Sequence, residues 1–158
     1  MSASPTIEVR RVAPDDPAAE PMMAELLHEY TSRYGPGAIR EMTRHSPSLF
    51  TPPGGTLLLL LENGVAIAGG AFKAYDERTA EAKRIWTAAA HRRRGLARRV
   101  MAELERAAVE AGYDRMYLTT GPRQPEAVRL YLATGYTPLF DVAQPPTDGP
   151  LPFEKALG

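Results

Sequence analysis

Five consecutive leucines, Leu57 to Leu61, restrict the fold more than any other stretch of this chain. The run is too short to cross a bilayer, which takes about 20 apolar residues. It ends at Glu62-Asn63-Gly64, where Asn-Gly supplies the positive φ angles of a tight primed hairpin turn. An apolar run of strand length, bounded by a turn signal, predicts a strand buried on both faces. Such a sheet needs helices over both of its sides. The return arm, Val65 to Tyr75, contains Gly69-Gly70, which predicts a bulge or a close backbone approach.

The rest of the chain supplies that cover. Thr6 to Val12 alternates branched and charged residues, a strand pattern. Asp and Pro in APDDPAAEP then open a helix carrying Met22, Met23, Leu26, Leu27 and Tyr30, which Gly35-Pro36-Gly37 stops. A shorter helix is expected over Ala38 to His45, and SPSLFTPPGG reads as a loop. Thr79 to Thr87 predicts a strand. From Gly95 to about Ala111 a helix places Leu96, Val100, Met101, Leu104, Ala107 and Ala108 on one stripe. Arg115–Thr120 predicts a strand, Pro125 to about Thr134 a helix, Tyr136–Phe140 a strand, and Pro152–Leu157 a last short strand. With 158 residues, one α/β domain over residues 1–158 with a mixed sheet is expected.

Composition narrows the function. Nineteen Lys and Arg balance 19 Asp and Glu, which argues against a general binder of nucleic acid or membrane surfaces. Without cysteine there is no disulfide, thiolate metal site or cysteine nucleophile. The three histidines, His28, His45 and His91, lie far apart, so no metal is expected. MSASPTIEVRR lacks the apolar core of a signal peptide, and a cytoplasmic protein is expected.

The informative stretch is Ile85 to Ala97, IWTAAAHRRRGLA. A strand runs out, a short loop turns, and a helix begins near a glycine. A helix N-terminus offers unpaired amides and about half a positive charge. Gly95 and Ala97 leave that backbone open to close approach. Arg92, Arg93, Arg94, Arg98 and Arg99 add guanidinium groups. Together they suit a phosphate or diphosphate. A solvated charged face and a nucleic-acid patch are the competing readings, the second weakened by the neutral chain. Neither GxGxxG nor GxxxxGK followed by Ser or Thr occurs.

Arg92-Arg93-Arg94-Gly95-Leu96-Ala97 resembles the [Gln/Arg]-x-x-Gly-x-[Gly/Ala] signature of GCN5-related N-acetyltransferases (GNAT). AEAKRIW is similar to that family's fourth strand, and YLTTGPRQPEAVRLYLATGYTPL to its fifth strand, fourth helix and sixth strand. Ala89 stands where many members have proline, and Arg93 where many have a second glycine. The resemblance covers nearly the whole chain. It implies an α/β (α+β) fold: a mixed, mostly antiparallel sheet of about six to seven strands flanked by about four helices.

This resemblance implies an acetyl-CoA-dependent N-acetyltransferase in which a primary amine, expected on a small molecule, attacks the thioester directly. The diphosphate of acetyl-CoA would lie on the amides of Arg92, Arg93, Arg94, Gly95, Leu96 and Ala97, plus Arg98. The pantetheine arm would pair along Ile85, Trp86 and Thr87, and Gln124 falls where the family usually has an asparagine touching that arm. Glu81 matches a frequent glutamate base. An ordinary glutamate near pKa 4.3 serves a free ammonium poorly, so it would act through water or after burial. Tyr131 matches the tyrosine that points at the cofactor sulfur, and an amide near Trp86 or Thr87 would meet the thioester oxygen. Each has a structural reading beside the functional one: a solvent-facing glutamate, a core tyrosine, a core tryptophan.

The acceptor side would fall to Tyr30–His45 and Asp141–Pro152, where Arg33, Tyr34 and Arg40 are candidates to meet a carboxylate. A protein amine, a polyamine or an antibiotic amine stay open as acceptors, and dimers are common among such folds. The rival classes are a non-catalytic acyl-CoA sensor and a nucleic-acid binder using the arginine run.

Overall fold

The leucine run divides between two cores. The computed structural model describes residues 6–37 and 47–158. Within strand β2 (Thr56–Glu62), Leu58 and Leu60 enter one core, and Leu57, Leu59 and Leu61 the other. All five are at most 1% exposed, as a strand covered on both faces requires. The first core packs under α2 (Leu96–Glu110), whose stripe of Leu96, Val100, Met101, Leu104, Ala107 and Ala108 is wholly buried. The second holds Met22 and Leu26 of α1 (Glu20–Tyr34), with Phe50 and Trp86.

The remaining elements are β1 (Ile7–Val12), β3 (Val65–Ala74), β4 (Thr79–Thr87), β5 (Arg115–Thr120), α3 (Pro125–Ala133), β6 (Thr137–Pro138) and β7 (Leu151–Ala156). They form one seven-stranded sheet in the order β1-β2-β3-β4-β5-β7-β6. Only β4 and β5 run parallel, joined by the crossover through α2. The fold is the mixed, mostly antiparallel α+β architecture expected. Among the described residues three α-helices and three short 3-10 segments flank the sheet, and the expected helix over 38–45 lies outside the described residues.

Asn63 and Gly64 sit at φ 53° and 80°, the two positive angles of the primed turn. The bulge predicted at Gly69-Gly70 falls on the opposite strand. Gly69 pairs with Trp86 and Ala71 with Lys83, so Arg84 and Ile85 together face Gly70. Arg84 takes φ 60°. Gly70 is required because a Cβ there would lie 2.8 Å from both Ile85 Cδ1 and Val100 Cγ1. The strand expected over 136–140 shrinks to Thr137–Pro138: Tyr136 N–H is taken by the Tyr131 carbonyl, and Leu139 donates to Pro152, which has no N–H to return. Among the described residues no helix is long and apolar enough to cross a membrane.

Candidate functional site

The parallel pair β4–β5 is short. Its ladder covers Thr79, Ala80 and Glu81 against Arg115, Met116 and Tyr117, and beyond Glu81 the two strands separate. The bulge at Arg84 turns the rest of β4 away. The edge of β4 from Ala82 to Thr87 is therefore left without a strand partner on the β5 side. A strand edge of this kind offers amide and carbonyl groups to an extended ligand.

A cavity of about 740 Å³ fills this opening. Its walls include Ile85, Trp86 and Thr87 of β4, Arg92, Arg93 and Gly95 to Arg98 at the start of α2, and Gln124 and Tyr131. Sequence reasoning had named all of these, and the fold brings them together. Thr119 and Thr120 of β5, with Glu126 and Arg129 of α3, also line the groove. Nothing in their spacing marked them, because only the divergence of β5 exposes them.

At one end lies the first turn of α2. Gly95 caps it at φ 74°, the left-handed region where glycine costs nothing. A Cβ there would meet no atom within 4 Å, so the space over this turn is open. The first helical bond runs from Arg99 N–H to the Gly95 carbonyl. The main-chain N–H groups of Gly95, Leu96, Ala97 and Arg98 have no acceptor among the described residues. Arg93 precedes them at φ 66°, an angle natural to glycine. Arg94 departs from the expected cradle. Its guanidinium is held by Glu62 at 2.6 Å and lies 2.8 Å from His91 Nδ1, and Arg94 does not line the groove. Glu62, with only 14% of its side chain exposed, has its carboxyl held below the ordinary range by the hydrogen bond from Arg94.

Tyr131, 5% exposed, also lines the groove. Its ring packs against Tyr136 and Phe153 with centroids 5.6 and 5.5 Å apart. Burial, ahead of any charge, pushes its hydroxyl far above the usual tyrosine range. Tyr131 lines the groove, and its hydroxyl has no hydrogen-bond partner among the described residues. A buried hydroxyl without a partner costs about 1–3 kcal/mol, which makes this phenol a strong donor to any acceptor that enters the groove.

Gln124 is part of the same wall. Its Oε1 accepts from Gly121 N–H at 3.1 Å, Thr120 Oγ1–H at 3.3 Å and Tyr34 Oη–H at 3.3 Å. With the oxygen so engaged, Nε2 is the end available to donate. A Cβ on Gly121 would lie 1.6 Å from Tyr34 Oη, so a larger residue here would displace the Tyr34 side chain from Gln124.

Glu81 sits on the opposite face of β4 from the α2 core and is 8% exposed. Lys73 Nζ approaches its carboxylate at 3.1 Å and Lys83 Nζ at 3.5 Å. Glu81 lines neither cavity described here, whereas Lys83 lines both. Trp86 is 3% exposed in the α1-side core, its indole N–H 3.4 Å from Glu25. Arg33 is taken up by Glu29 and Glu126, at 3.3 and 2.7 Å, and donates to the Arg123 carbonyl. Tyr34 lines a second cavity, and Arg40 and His45 lie outside the described residues.

That second cavity, of about 540 Å³, opens on the other side of the splay. It shares Tyr30, Ala82, Lys83, Arg84, Thr119, Thr120 and Gln124 with the first. The two are halves of one passage between β4 and β5.

Known proteins resemble this arrangement. A curated Bacillus subtilis (strain 168) protein, the uncharacterized N-acetyltransferase YsnE, is 32% identical over 121 residues, covering 65% of this chain and 80% of that protein. A GNAT-family acetyltransferase from Staphylococcus aureus Mu50 superposes with TM-score 0.78 at 13% identity, covering 97% of this chain and all of that one. A phosphinothricin acetyltransferase from Sinorhizobium meliloti, solved in complex with AcCoA, gives TM-score 0.67 at 18% identity over 97% of this chain and 89% of that one. A GNAT acetyltransferase from Elizabethkingia anophelis, solved with acetyl-CoA bound, gives 0.64 at 16% identity over 96% and 98%. These likenesses show the fold. The sequence profile of the acetyltransferase (GNAT) family matches residues 20–136, most of the chain, and to that family this protein belongs.

Proposed function

We propose that this protein transfers the acetyl group of acetyl-CoA to a primary amine on a small molecule, both substrates being bound together in the β4–β5 passage. The observation that carries the reading is a single groove. It joins the unpartnered amides of Gly95–Arg98 to the unpartnered, buried hydroxyl of Tyr131. The amides suit a diphosphate and the hydroxyl a sulfur about to gain negative charge.

In this reading Gly95, Leu96, Ala97 and Arg98 hold the diphosphate through main-chain N–H groups, with Arg92 and Arg93 as counter-charges. The edge at Ile85, Trp86 and Thr87 pairs with the pantetheine amides, and Gln124 Nε2 donates to the same arm. In the transfer the amine nitrogen bonds to the thioester carbon, the C–S bond breaks, the sulfur leaves as thiolate and the nitrogen gives up one proton. An amide of β4 near Trp86 or Thr87 donates to the carbonyl oxygen. Tyr131 donates a hydrogen bond to the leaving sulfur. Its raised pKa makes full proton transfer to a thiolate near 8.5 unfavourable, so its role is electrostatic. Glu81 accepts the amine proton through water beside Lys83. A cytoplasmic setting, where a CoA thioester is available, goes with this reading.

The test is calorimetric titration with acetyl-CoA, followed by a thiol-release screen over primary amines. Binding with turnover of at least one amine is expected. Absence of acetyl-CoA binding overturns the reading, and binding without any turnover would make the protein an acyl-CoA sensor instead.

A further inference from the structure

Resting on the acetyltransferase reading, we propose that the acceptor is a small amine that carries its own carboxylate, with the anion met by Arg123 and the amine seated beside Tyr30. The second cavity has the volume of a small-molecule site. Its charge is one-sided. Among the described residues, Lys83, Arg84 and Arg123 line it against one acid, Asp148.

The neighbouring carboxylates leave Lys83 and Arg123 with positive charge over. Glu81, the carboxylate paired with Lys83, is shared between Lys73 and Lys83, one negative charge for two positive. Arg123 donates one N–H to the Arg33 carbonyl at 2.9 Å and has no carboxylate in ion-pair range among the described residues. A guanidinium has five N–H donors in a fork matched to a carboxylate. Arg84 is held in place by the Phe50 ring, 4.5 Å beneath its guanidinium. Arg33, the arginine that the sequence suggested for this task, is already consumed by Glu29 and Glu126.

Tyr30 marks where the amine belongs. It lines both cavities, so it stands where the acceptor must meet the thioester, and its hydroxyl has no hydrogen-bond partner among the described residues. Its oxygen accepts from an amine N–H. The same cations that attract a carboxylate disfavour an ammonium ion, which raises the neutral fraction of the amine at the point of attack. A polyamine or a lysine side chain brings only positive charge into a positive cavity and is disfavoured.

The experiment compares free amino carboxylates (the common amino acids, β-alanine and 4-aminobutyrate) with their carboxamides and with spermidine, following thiol release at saturating acetyl-CoA. Amino carboxylates are expected to exceed their carboxamides in kcat/KM by about ten- to a hundredfold, the worth of one charge-assisted contact. Arg123→Gln is expected to erase most of that preference through KM while acetyl-CoA binding stays intact. Calorimetry of the same amino carboxylates against the CoA-bound protein gives a readout independent of turnover. Equal use of carboxylate and carboxamide, preference for spermidine, an Arg123→Gln variant with unchanged preference, or no amino-carboxylate binding to the CoA complex each overturns the proposal. Loss of acetyl-CoA binding itself in the wild-type protein would instead overturn the acetyltransferase reading.

Discussion

Lys73 stands directly across from Glu81 in the β3–β4 ladder, its ammonium 3.1 Å from the carboxylate. With Lys83 at 3.5 Å, Glu81 neutralises two cations that are themselves mostly buried, at 15% and 21% side-chain exposure. Glu81→Gln therefore leaves both lysines uncompensated. Stability is expected to fall by about 1–3 kcal/mol, below the full penalty of a broken buried pair because the lysines keep some solvent. Acetyl transfer should slow by about 10²–10⁴-fold if the carboxylate accepts the proton. Adding Lys73→Met to Glu81→Gln should return part of the stability and none of the rate. Chemical denaturation and steady-state kinetics on the three variants separate the roles, and a rate recovering with stability would make Glu81 purely structural.

Arg94 belongs to a different contact from Arg92 and Arg93, although the three are consecutive. Its guanidinium is bound to Glu62, so Arg94→Gln should leave acetyl-CoA affinity within about threefold, since no ligand contact is lost. Arg92→Glu should weaken that affinity by about ten- to a hundredfold, the scale of a charge-assisted hydrogen bond. Arg93→Gly separates two effects. It removes a charge from the groove but relieves a φ of 66°, a conformation that costs a non-glycine residue about 1–2 kcal/mol. A gain of about 0.5 kcal/mol in stability is expected after the greater unfolded-state entropy of glycine, together with weaker CoA binding. Calorimetry and thermal melts on the three variants decide it; equal losses from Arg92 and Arg94 would contradict the geometry.

Much of this site was legible in the chain, for identifiable reasons. The cradle at Gly95 could be read because a strand, a glycine and a helix start are local signals. The double burial of Leu57–Leu61 was visible because five apolar residues leave no polar face. Other features depend on contacts between distant segments. Arg94 turns away because Glu62, 32 residues earlier, lies beside it, and no local pattern encodes that pairing. The bulge was signalled by Gly69-Gly70 but fell on Arg84 and Ile85, since glycine makes room for the partner strand's extra residue. Lys83, Arg84 and Arg123 come to line one cavity only where β4 and β5 part, a consequence of three-dimensional closure.

Tyr131 links stability to function with opposite signs. Its hydroxyl is buried without a partner among the described residues, while its ring fills the core against Phe153 and Tyr136. Tyr131→Phe keeps the ring and deletes the unsatisfied group, so the variant should be more stable by about 1 kcal/mol. The rate of transfer should nevertheless fall by about ten- to a thousandfold as the donor to the sulfur is lost. Thermal melts and steady-state kinetics on the same preparation test both halves. A variant that is both less stable and fully active would mean that the hydroxyl has a partner within the protein and no part in the reaction.

The same burial predicts alkaline lability. Burial pushes the Tyr30 hydroxyl up to about 12 and drives those of Tyr131 and Tyr136 higher still, the last aided by the nearby charge of Glu105. In the unfolded chain each ionises near pH 10. Below pH 10 both states keep the proton, and these groups give stability no pH dependence. Above pH 10 the unfolded chain releases protons that the folded protein retains, so the equilibrium moves toward unfolding. Each tyrosine contributes a slope of about 1.4 kcal/mol per pH unit until its folded-state pKa is passed; for Tyr30 that window closes near 12. Urea midpoints should therefore be level from pH 8 to 9.5 and fall steeply by pH 11. Tyr131→Phe should make the fall shallower by one proton's worth, because phenylalanine has nothing to ionise in either state. A wild-type midpoint unchanged at pH 11, or a variant with the wild-type slope, would mean that the phenols are hydrated in the native protein and that the floor of the groove is open to water.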